Sequence, residues 1–100
     1  MLTPNQLSDE LSKLTRENFK GVEAVFEAEA KLANAEYDLD TAEQKAFLRS
    51  EGTVAERNAQ ARLDSAQKRL ERDIAKAEFN RIKLKLKAVE SALMAAGTQA

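Results

Sequence analysis

The chain of 100 residues contains no cysteine and no histidine. Without cysteine it can form neither a disulfide nor a thiolate metal site. Without histidine it lacks the side chain that most often serves as general base, pH switch or metal ligand. The sequence also lacks a glycine-rich phosphate loop. A chain of 100 residues that forms long, thin helices has no room to enclose a pocket. We therefore predict that the protein is not an enzyme and has no catalytic, cofactor-binding or metal-binding residues.

Glycine, proline and aromatic residues are also scarce, with 3 glycines, 1 proline and 5% aromatics. Alanine, leucine and charged residues dominate instead, which is the composition of long helices or a coiled coil. The N-terminus has no signal-peptide pattern, and no apolar run approaches the roughly 20 residues that cross a bilayer. These features predict a soluble, cytoplasmic protein of one domain, spanning residues 1–100, that does not contact a membrane.

The midpoint of the chain carries signals that end one helix and start another. Gly52 suits the left-handed position that follows a helix, and Thr53 with Glu56 has the spacing of a capping box. A helix end that is followed directly by a helix start predicts a tight reversal of the chain. The sequence thus predicts an all-α fold, a long antiparallel helical hairpin of the coiled-coil type. Helix 1 covers about residues 4–50, the turn residues 50–53, and helix 2 about residues 54–96.

Helix 1 contains a seven-residue repeat with alternating steps of four and three, which predicts a supercoiled seam. One position of the repeat reads Leu11, Asn18, Val25, Leu32, Leu39, Ala46, and the other reads Leu7, Leu14, Gly21, Ala28, Ala35, Ala42. A glycine inside a helix costs about 1 kcal/mol relative to alanine. A break near Gly21, which would give a compact bundle of three or four helices, is therefore the alternative fold.

Helix 2 contains two apolar rows, and helix 1 has an additional one near the open end of the hairpin. A helix that is apolar on two sides normally has two neighbours, so we predict that two copies form a four-helix bundle. The first row of helix 2 reads Ala59, Leu63, Ala66, Leu70, Ile74, Ala77, Leu84, Ala88, and the second reads Ala75, Phe79, Ile82, Leu86, Val89, Leu93. The predicted dimer interface comprises Phe19, Val22, Phe26, Phe79, Ile82, Leu86, Val89 and Leu93.

Charge is divided unevenly between the two halves of the chain. Residues 1–52 carry 6 Lys/Arg against 11 Asp/Glu, whereas residues 53–100 carry 10 against 6. Attraction between the two helices of one chain explains this asymmetry, and so does an acidic partner. A basic stripe along helix 2 is the candidate surface for a nucleic acid or an acidic partner. It consists of Arg62, Arg69, Arg72, Lys76, Lys83 and Lys87.

Residues 45–57, which read Lys-Ala-Phe-Leu-Arg-Ser-Glu-Gly-Thr-Val-Ala-Glu-Arg, carry the one resemblance to a known family. They resemble the Lys-Ala-Phe-Leu … Glu-Gly-Ser/Thr turn of a family of small, functionally unassigned proteins of tailed bacteriophages. Residues 77–78 and 87–90 fit the same pattern. The resemblance implies two charged, alanine-rich helices and a phage product acting in the bacterial cytoplasm, beside replication or recombination functions. It implies no catalytic residues.

Two functions follow as hypotheses. The first is a dimeric coiled-coil module that binds an unidentified phage or host protein as an accessory or inhibitor. The second is a nucleic-acid-binding accessory factor of phage replication or recombination that uses the basic stripe.

Overall fold

Three α-helices make up the computed structural model, which describes residues 2–99 and their side chains as far as Gly97. Helix α1 covers Pro4–Arg49, α2 covers Val54–Asp64 and α3 covers Ala66–Gln99. The described residues contain no strand, so the prediction of an all-α fold is confirmed. The helix predicted over residues 54–96 is divided at Ser65 and extends three residues further than expected.

The start of α1 is fixed by a reciprocal capping box. The backbone N–H of Gln6 donates to the Thr3 hydroxyl over 3.2 Å, and the backbone N–H of Thr3 donates to the Gln6 side-chain oxygen over 2.9 Å. Pro4 occupies the first helical position, where its missing N–H leaves no bond unmade. These contacts satisfy donors that the first turn of a helix otherwise leaves to water.

Helix α1 runs without interruption through Gly21, so the break that the glycine suggested does not occur. A Cβ atom added at Gly21 would lie 2.7 Å from Cδ1 of Leu86. The leucine therefore occupies the space that a side chain at position 21 would need. Gly21 allows α3 to approach the backbone of α1 closely, and this packing offsets its low helix propensity.

The turn between α1 and α2 is held by contacts on both sides of Gly52, whose φ angle is +109°. The Glu56 N–H donates to the Thr53 hydroxyl over 3.2 Å, and that hydroxyl donates to the Glu56 carboxylate over 3.2 Å. The guanidinium of Arg57 donates two hydrogen bonds to the Phe47 carbonyl, over 3.2 and 3.1 Å, and lies 4.1 Å from the centre of the Phe47 ring. Arg57 thus ties the start of α2 to the end of α1.

Substituting Gly52 by alanine is expected to lower the free energy of unfolding by about 1–3 kcal/mol, because φ is positive there. The new Cβ would also lie 2.6 Å from a Glu56 carboxylate oxygen. Gly97→Ala is the matched control, since a Cβ at Gly97 meets nothing within 4 Å. Urea unfolding of both variants measures the difference, and equal stability of the two would contradict this account of the turn.

The division between α2 and α3 is a distortion at a single residue. Ser65 has φ −99° and ψ 8°, which departs from helical values, and its hydroxyl donates to the Ala61 carbonyl over 2.7 Å. A serine hydroxyl bonded to the carbonyl four residues earlier commonly bends a helix. The backbone resumes the helical pattern at once, because the Arg69 N–H donates to the Ser65 carbonyl over 3.0 Å.

The chain divides into two compact units. Unit 1 contains the residues up to Ala28 and those from Phe79 onward, and unit 2 is Glu29–Glu78. In both units the predicted seam positions of α1 are buried or half-buried at every step from Leu7 to Ala46. The fully buried apolar seam residues of α1 are Leu14, Ala28, Leu39 and Ala46.

Candidate interaction surfaces

A second heptad seam runs along α2 and α3 and faces the core of each unit. It repeats at alternating steps of four and three, which is the spacing of the seam in α1. Its members are Ala61, Ser65, Lys68, Arg72 and Ala75 in unit 2, and Phe79, Ile82, Leu86, Val89, Leu93 and Ala96 in unit 1; all are buried or half-buried. From the sequence, this row could be predicted only from Ala75 onward, because three of the four preceding members are polar.

In unit 2 the seam residue Ser65 belongs to a side-chain network around the helix distortion. Ser65 is fully buried, and its hydroxyl accepts a hydrogen bond from Arg69 over 3.2 Å. The same guanidinium forms an ion pair with Glu43 of α1 at 2.9 Å and donates to the Arg62 carbonyl over 3.2 Å. Arg69 therefore links α1, α2 and α3 at the point where the helix is distorted.

Ser65→Leu is expected to destabilise the protein by about 1–3 kcal/mol, because overfilling a packed seam forces neighbouring helices apart. The substitution also removes the hydrogen bonds of the serine hydroxyl with Ala61, Arg62 and Arg69. The neighbouring Ala66 is exposed, so Ala66→Leu is the control and should change stability little. Thermal unfolding of the two variants tests this, and a harmless Ser65→Leu would refute the tight packing.

The predicted basic stripe is partly occupied by contacts within the chain. Arg69 pairs with Glu43, Arg72 pairs with Asp73 at 2.8 Å, and the ammonium of Lys83 lies 4.5 Å from the centre of the Phe79 ring. The remaining members are exposed, namely Arg62, Lys76 and Lys87. Of these three contacts, the Arg69–Glu43 pair joins acidic α1 to basic α3, whereas the other two lie within α3. Together they leave fewer cations of the stripe for a phosphate backbone.

The eight residues of the predicted dimer interface all belong to unit 1, where they fall into two groups. Phe19 and Phe26 of α1 are 68% and 66% exposed. The others are half-buried, and Leu86 packs against Gly21 of the same chain. This half-buried group consists of Val22, Phe79, Ile82, Leu86, Val89 and Leu93. The two exposed phenylalanines, which are seven residues apart on one side of α1, form what we call the phenylalanine face.

Unit 2 leaves a different apolar row in water. The first apolar row of helix 2 is exposed, and its large unit 2 members are Leu63, Leu70 and Ile74, with exposures of 69%, 52% and 58%. Exposed alanines at positions 59, 66 and 77 extend the row, which we call the outer row. A contiguous apolar surface of this kind usually marks a place where another protein binds.

The described part of the chain has neither a cluster of metal ligands nor a membrane-spanning helix. Among those residues, no group of three or more His, Cys, Asp or Glu side chains could hold a metal ion. Glu36, Asp40 and Glu43 share a side of α1, but Glu43 is engaged by Arg69. Nor does any described helix combine the length and apolar character that crossing a membrane would require.

Comparisons with known proteins give no relative from which a function could be transferred. No protein-family model matches the chain, and neither the curated proteins nor the solved structures include a match. The interaction surfaces must therefore be interpreted from their own chemistry.

Proposed function

We propose that the protein is a non-enzymatic coiled-coil module for protein–protein interaction, and that two copies pair through unit 1 into a four-helix bundle. The observation that carries the proposal is the exposure of Phe19 and Phe26 on one side of α1. Each ring would gain roughly 1.5–3 kcal/mol on full burial, so leaving both in water is unfavourable unless another surface covers them.

The charges of unit 1 favour a second copy as that other surface. The part of α1 in this unit carries five Asp/Glu against three Lys/Arg, whereas the described part of α3 in it carries four Lys/Arg against one Asp/Glu. In a twofold pair, α1 of each copy can lie against α3 of the other, so that opposite charges meet at both contacts. Self-association through this unit is therefore electrostatically complementary.

The outer row of unit 2 supplies a second surface for a different protein. It lies outside both seams, so a partner could cover Leu63, Leu70 and Ile74 without opening the fold. Helical anchors spaced by seven and four residues suit a groove or a helix on the partner. With the turn sequence of residues 45–57, this supports a bacteriophage product that acts in the host cytoplasm as an accessory or inhibitor of a phage or host protein.

Sedimentation equilibrium of the wild-type protein across a range of concentrations tests the pairing. The chain has a mass of 11.1 kDa, and we expect a concentration-dependent approach to twice that value. A particle that keeps the mass of one chain at high micromolar concentration would refute the four-helix bundle.

Nucleic-acid binding is the second candidate function, and three exposed cations of the basic stripe favour it. Arg62, Lys76 and Lys87 form no ion pair with any side chain that the structure describes. Binding of DNA and RNA across a salt series distinguishes the two functions. Phosphate contacts predict an affinity that falls steeply with salt, whereas absence of binding at low salt excludes this function.

A further inference from the structure

Unit 1 contains a notch beside Gly21 that the phenylalanine face does not use. The notch has a volume of about 370 Å³, and its floor is formed by the half-buried residues Gly21, Ala24, Ile82, Leu86 and Val89. A notch of this volume accommodates one bulky apolar side chain. Neither Phe19 nor Phe26 lines it.

The rim of the notch is strongly basic. Lys20, Arg81 and Lys85 surround the apolar floor, and Glu17 is the one acidic residue among the lining residues. None of these three cations forms an ion pair with a side chain that the structure describes, although Lys68, Arg69 and Arg72 of unit 2 all do. The positive charge around this notch is thus not neutralised by side chains of the same chain that the structure describes.

We propose that the notch binds an acidic amphipathic helix of a partner protein, which inserts one large apolar side chain and places carboxylates against Lys20, Arg81 and Lys85. The proposal rests on the proposed function as an interaction module and names the class of partner. An apolar floor with a basic rim selects a ligand that combines an apolar anchor with negative charge. A nucleic acid fits less well, because the residues that line the notch include no aromatic side chain on which a base could stack.

The test uses a synthetic, alanine-based helical peptide that carries a fluorophore. The peptide contains one leucine, with a glutamate one helical turn before it and another one turn after it. We expect saturable binding to the wild type by fluorescence anisotropy, weakened by added salt. The counterpart peptide with lysine in place of each glutamate should not bind. Arg81→Glu combined with Lys85→Glu should weaken the affinity roughly tenfold or more.

Lys13→Glu combined with Arg16→Glu is the matched control, because it changes net charge equally at exposed positions of unit 1 outside the notch. An equal loss of affinity in this control would overturn the proposal, as would absence of saturable binding to the wild type. Particles that grow beyond a dimer, and that return to a dimer with Arg81→Glu combined with Lys85→Glu, would assign the notch to a second copy and also overturn it. Sedimentation at the same concentration separates the two proposals: a monomer that binds the peptide contradicts only the pairing, and a dimer that does not bind contradicts only the notch.

Discussion

Replacing Phe19 and Phe26 together by serine is expected to weaken the association of two copies by roughly a hundredfold or more. The substitution removes two exposed rings from each copy, and each buried ring contributes roughly 1.5–3 kcal/mol. Part of that contribution is lost to ordering and desolvation on association, which is why the expected change is smaller than the sum. The fold should survive, because neither ring lies in the seam within the chain.

Sedimentation equilibrium over a concentration series measures this change against a matched control. Leu63→Ser combined with Leu70→Ser also removes two large exposed apolar side chains, but from the outer row of unit 2. We expect this control to dimerise like the wild type. If the outer-row variant dissociates and the phenylalanine variant does not, the pairing surface has been assigned to the wrong unit.

Leu86→Asp is expected to lower the free energy of unfolding by about 2–4 kcal/mol, because it removes an apolar seam residue and places a charge there instead. The side chain of Leu86 packs against Gly21, so the loss falls on the contact between α1 and α3 within one chain. This variant should therefore lose secondary structure at lower urea concentrations even when the protein is dilute and monomeric.

Leu84→Asp provides the control two residues away on the same helix. Leu84 is 68% exposed, and a charge there should change stability by no more than about 0.5 kcal/mol. Urea unfolding followed by circular dichroism at a fixed low protein concentration compares the two variants, since association would otherwise shift the midpoint. Equal midpoints would mean that Leu86 does not belong to the seam of α1 and α3.

The seam of α1 could be predicted from the sequence because its members are nearly all apolar or small. A repeat from Leu7 to Ala46 without an interrupting charge leaves one consistent register. The capping signals at Thr3 and at the turn were equally readable, because they depend on neighbours within four residues. Local chemistry therefore determined the ends of α1 and the side of α1 that is buried.

The opposing seam was only half predictable, because in unit 2 packing overrides hydrophobicity. Lys68 and Arg72 occupy heptad positions, while the apolar Leu63 and Leu70 are left in water. The available signal was continuity: extending the row of Phe79 and Leu86 backward by heptads reaches Arg72 and Ser65. A prediction based on apolar residues alone begins the seam at Ala75 and misses its polar members in unit 2.

Arg57 and Arg69 were missed as structural residues for a different reason. Their contacts, to Phe47 and Glu43, join residues 10 and 26 positions apart in sequence. Such pairs depend on the register of two helices, which no local motif encodes. Arg69 consequently looked like a member of a ligand-binding stripe, whereas the structure places it in an ion pair.

The most direct test of the central claim is an isotope-filtered NMR experiment on a mixture of labelled and unlabelled chains. If the phenylalanine face joins two copies, the ring protons of Phe19 and Phe26 in one copy should show nuclear Overhauser effects to side chains of the other copy. These cross-peaks should disappear on dilution. Ring protons that show contacts only within their own chain, at concentrations where the protein sediments as a dimer, would contradict the phenylalanine face as the pairing surface.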